Sequence, residues 1–67
     1  MEPHATRGNN GEILILDDGW AASFKDGAWR DGILFLHDHI AEFTPVQDRD
    51  EIYRLLGEAR SALGAEG

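Results

Sequence analysis

Residues 12–31 read EILILDDGWAASFKDGAWRD, and the spacing within this stretch decides the fold. Two Asp-Gly pairs, at 18–19 and 26–27, cut it into three runs of strand length. A two-residue hairpin loop needs positive φ at its centre, which Asp tolerates and Gly adopts freely. Glu12–Asp17 carries four large apolar residues in succession, the pattern of an interior strand covered on both faces. Trp20–Lys25 alternates, with Trp20, Ala22 and Phe24 on one face and Ala21, Ser23 and Lys25 on the other. A third strand starts at Ala28, and the pair Asp31-Gly32 interrupts it as a bulge. The expectation is a three-stranded antiparallel meander, with Ile40–Thr44 as a candidate fourth strand.

Downstream, residues 47–63 have helical periodicity. Ile52, Leu55, Leu56, Ala59, Ala62 and Leu63 fall within about 120° of one another at 100° per residue, which makes one apolar stripe. Asp48 is the expected N-cap, and Glu51 three residues later forms a D-x-x-E capping box with it. Asp50 and Glu51 suit the positive end of the helix dipole and Arg60 the negative end, with Gly64 as the stop.

Residues 29–44 read two ways. Trp29, Ile33, Leu36, Ile40 and Phe43 are spaced as on a helix, and Asp31 and Pro45 would bound a helix over 32–44. Phe35 falls on the polar side of that helix, and the run Ile33–Leu36 leans toward strand, so the strand reading is preferred. Residues 1–11 (MEPHATRGNNG) lack periodicity and are rich in Gly, Asn and Pro, which predicts a flexible N-terminal tail. The fold class expected for 12–67 is therefore a single small α+β domain, a three- to four-stranded meander with one C-terminal amphipathic helix on a sheet face.

Composition narrows the chemistry. The chain has 67 residues, no cysteine and a formal net charge of −7. Without cysteine there is no disulfide scaffold, no thiolate catalysis and no Cys-ligated zinc or iron–sulfur site. Arg7, Lys25, Arg30, Arg49, Arg54 and Arg60 are dispersed among thirteen acids, which argues against nucleic-acid binding. The longest runs of large apolar residues, Ile13–Leu16 and Ile33–Leu36, are far short of a membrane span or a signal-peptide core. No membrane association is expected, and a cytoplasmic location is.

The one cluster with metal-ligand character is His37-Asp38-His39 with Glu42. On a strand His37 and His39 share a face, and Glu42 is the candidate third ligand; on a helix the two histidines diverge by about 200°. A solvated polar strand end accounts for the same residues, and no cofactor is expected. Most other carboxylates sit in Asp-Gly turns, where they cap local backbone, and the chain is expected not to be an enzyme.

Between Glu12 and Leu63 the sequence places nineteen large apolar or aromatic side chains. One small sheet and one helix cannot cover all of them, because the surface of so short a chain is too large for its volume. Trp20, Phe24 and Trp29 are the candidate interface, provided that the helix covers the opposite face; the competing arrangement packs the helix on Trp20 and Phe24. The expected function is a non-enzymatic, small acidic interaction or regulatory subunit that self-associates as a homodimer or docks on a protein partner. A metal- or small-molecule-binding module using His37 and His39 is the second class. A winged or helix-turn-helix regulator is the third, if 32–44 is helical.

Overall fold

The computed structural model describes residues 2–33 and 43–64. Among these residues five strands form one antiparallel sheet: β1 (His4–Gly8), β2 (Ile13–Asp17), β3 (Trp20–Lys25), β4 (Ala28–Asp31) and β5 (Phe43–Pro45). One helix among the described residues, α1 (Arg49–Ala62), follows. The strand order is β4-β3-β2-β1-β5, so β1 to β4 make an up-and-down meander. The fifth strand pairs with β1, at the edge opposite β4. This is the α+β class expected, with a larger sheet.

Both hairpins written in the Asp-Gly pairs are present. At 26–27 both residues take positive φ, +53° and +78°, as a primed two-residue turn requires. At 18–19 only Gly19 does, at +69°. Gly32 also has positive φ, +89°, but β4 ends at Asp31, so the pair 31–32 closes the strand and does not bulge it. One further ladder bond survives there, from the Gly32 N–H to the Ala21 carbonyl at 3.0 Å.

The N-terminus differs from expectation. His4–Gly8, placed in the flexible tail by the sequence, form β1, an inner strand of the sheet paired on both sides. Its local preference is weak, because Ala5 is its only apolar side chain. What holds it is pairing: Ala5 lies opposite Ile15 and is 3% exposed, and the Gly8 N–H donates to the Glu12 carbonyl at 2.8 Å. The last strand is also shifted. Phe43 and Thr44 of the expected fourth strand belong to β5, while Ile40–Glu42 lie outside the described residues.

The helix begins as predicted. Asp48 is extended (φ −78°, ψ 115°) and its side chain accepts from the Asp50 N–H at 3.0 Å. Glu51 does not read as the second half of a capping box, because its carboxylate accepts from Arg7 on β1. At the far end the Leu63 N–H bonds the Ala59 carbonyl at 3.0 Å, and Gly64 at φ +68° turns the chain away.

Opposed residues of an antiparallel pair share a face, so the register assigns every side chain to a side. Ala5, Ile15 and Ala22 stand in one row across three strands. These, with Ile13, meet Leu55, Leu56 and Ala59 of α1 in the core, where Ile15, Ala22 and Ala59 are wholly buried.

Candidate functional site

The register places Trp20 opposite Asp17, Phe24 opposite Ile13, and Trp29 opposite Phe24. All three aromatics therefore lie on the helix side of the sheet. Each is half-buried and packs against the core, and Phe24 and Trp29 meet at 5.2 Å between ring centroids, tilted by 60°. The arrangement is the one in which α1 shares the aromatic face. Trp29 carries that face out to the edge strand β4.

Two arginine contacts fasten the helix to the sheet. Arg60 donates from Nη2 to Asp17 Oδ2 at 2.7 Å, and its guanidinium lies 5.1 Å from the centre of the Trp20 ring. Arg7 of β1 reaches Glu51 in the first turn of α1. Because the Asp17 side chain is only 15% exposed, Asp17→Asn should lower stability by about 1 kcal/mol. A double-mutant cycle with Arg60→Gln should return most of that loss as coupling; a coupling near zero would show that the pair is idle.

The face away from the helix carries Thr6, Leu14 and Ser23 in one row and His4, Leu16 and Ala21 in the next. Leu14 and Leu16 are half-buried there, and Ser23 is wholly buried, its hydroxyl donating to the Gly32 carbonyl at 2.8 Å. Residues 12–17 are thus apolar toward both sides, as their sequence implied.

Of the predicted metal set, His37, His39 and Glu42 all lie outside the described residues. Among the described residues no three His, Asp or Glu side chains come together as a metal site. The helical reading of 32–44 also falls mostly outside them, but its last two residues, Phe43 and Thr44, are strand. A cleft of about 200 Å³ opens between the N-terminal segment and the start of α1, lined by Glu2, Pro3, His4, Gln47, Arg49, Ile52 and Tyr53. That is below the roughly 300–1,000 Å³ of ordinary small-molecule sites. Among the described residues no helix is long and apolar enough to cross a membrane.

Comparison with protein-family models, with curated proteins and with solved structures finds no match. The chain's own surface must carry any functional reading.

Two surface features escaped the sequence reading. Among the described residues Ile33 and Tyr53 are the exposed large apolar ones, at 58% and 50%. Ile33 follows the edge strand and Tyr53 lies beside the apolar stripe of α1, so neither departs from a local pattern. The second feature is the edge position of Pro45, for which the proline itself was the available signal.

Proposed function

We propose that this chain is a small acidic interaction or regulatory subunit, non-enzymatic and cytoplasmic, that works by self-association or by docking on a protein partner. The observation that supports this reading is how little the single chain buries. Of the large apolar side chains among the described residues, only Ile13, Ile15, Leu55 and Leu56 are buried. Leu14, Leu16, Trp20, Phe24, Trp29, Phe43, Val46, Ile52 and Leu63 keep partial exposure, and Ile33 and Tyr53 are open to solvent. A second chain would remove more of this area from water, at about 25 cal/mol per Å².

Sedimentation equilibrium tests the reading. We expect roughly twice the 7.4 kDa chain mass at tens of micromolar, with a melting temperature that rises with concentration. A 7.4 kDa species at millimolar concentration, with a concentration-independent melting temperature, would refute self-association.

A further inference from the structure

We propose that two copies of this chain join edge to edge through β4, across a two-fold axis at Trp29, into one continuous sheet. The proposal rests on the self-association reading above and specifies its surface and register.

The two edges of the sheet are chemically different. At the β5 edge, the Val46 N–H bonds the Ala5 carbonyl, so the backbone groups of Thr44 point toward β1 and those of Pro45 point outward. Of the two outward positions, Phe43 and Pro45, the second therefore lacks a donor, and an edge proline is one way natural sheets discourage further pairing. At the β4 edge the Gly32 N–H bonds Ala21, so Ala28 and Arg30 point toward β3, and Trp29 and Asp31 point outward with donor and acceptor both present. Three of the four β4 residues, Ala28, Arg30 and Asp31, are exposed.

Charge selects a second copy as the occupant. The chain carries −7 overall, which opposes self-contact over most of its surface. Around β4 the balance is even, with Lys25 and Arg30 against Asp26 and Asp31. A two-fold axis normal to the sheet can sit at any of the four β4 residues, but at Ala28 the turn at Asp26-Gly27 leaves that residue alone paired within β4. Centring on Arg30 or Asp31 sets like charges directly opposite, which is destabilising. Centring on Trp29 sets Arg30 opposite the partner's Ala28, within reach of the partner's Asp26, and lays the two Trp29 rings side by side. The aromatic pair Phe24–Trp29 then runs on into its symmetry mate.

Asp31→Pro tests the edge, because it copies onto β4 the missing outward donor that Pro45 supplies at β5. We expect this variant to keep the wild-type circular dichroism and to sediment as a monomer where the wild type is a dimer. A dimeric Asp31→Pro would overturn the edge proposal and leave self-association standing. A monomeric wild type would overturn both. Cysteine cross-linking reads the register without depending on that variant's folding, since the chain has no cysteine of its own. Ala28 and the partner's Arg30 would be a non-hydrogen-bonded pair with Cα atoms about 4.5 Å apart, within disulfide range. An oxidised mixture of Ala28→Cys and Arg30→Cys chains should give a mixed dimer, and neither variant alone should. Efficient cross-linking of Arg30→Cys by itself, or none in the mixture, would overturn the register.

Discussion

Replacing Ile15 by alanine is expected to remove about 3–5 kcal/mol of stability, the upper part of the range for deleting a buried branched side chain. Ile15 is fully buried at the middle of β2. Its cross-strand neighbours on the same face are Ala5 and Ala22, which have no reach to fill the space left behind. Above it lie Leu55, Leu56 and Ala59, held at their distance by the helix backbone. The cavity should therefore persist. A domain of 67 residues has a total stability of about 3–10 kcal/mol, so the variant should be largely unfolded at low concentration. Ile15→Val, which deletes one methyl group, should cost about 1 kcal/mol and serves as the graded control. Urea denaturation measures both. An Ile15→Ala loss below 1 kcal/mol would mean that the helix–sheet core is not what holds the fold.

The second large effect is expected at Gly8. This residue needs space, because its backbone is not in the left-handed region. Gly8 stands opposite Phe43, and a Cβ there would lie 2.8 Å from Phe43 Cε1 and 2.6 Å from Glu12 Oε1. Glu12 can swing away, at the loss of the hydrogen bond it accepts from the Asn10 N–H. Phe43 is less free, since it sits on a three-residue strand whose ring covers the glycine. Gly8→Ala should thus loosen β5 from β1 and lower stability by about 1–3 kcal/mol. Hydrogen exchange gives the local readout: protection at the Val46 amide, which bonds Ala5, should fall, while protection within β2 and β3 is retained. Unchanged exchange at Val46 together with unchanged stability would refute the close-packing account.

The amount of uncovered apolar surface and its location are set at different levels of structure. The apolar excess was legible in the residues, since nineteen large side chains on so short a chain exceed what one sheet and one helix can enclose. Its location was not. Trp20, Phe24 and Trp29 share a face by simple alternation, but β2 is apolar on both sides and offers no signal for which face the helix takes. Pairing resolves this. Ala5 and Ala22 flank Ile15 and leave a shallow seat in which Ala59 brings the helix close, whereas the other face presents Thr6, Ser23, Lys25 and Arg30 beside Leu14 and Leu16.

What the sequence determined by itself is everything that depends on neighbours along the chain. The Asp-Gly hairpins follow from the positive φ that glycine accepts at Gly19 and Gly27, and α1 from the cap at Asp48, the apolar stripe and the stop at Gly64. Only the tertiary structure decided what depends on partners distant in sequence. His4–Gly8 have little strand character of their own and become an inner strand because β2 and β5 satisfy their backbone from both sides. The position of β5 at the far edge from β4, and with it the contrast among the described residues between an edge bearing a proline and one bearing outward donors, likewise arises from pairing. Hydrogen-bond partners separated by more than thirty residues, such as Ala5 and Val46, leave no periodicity for a local reading to find.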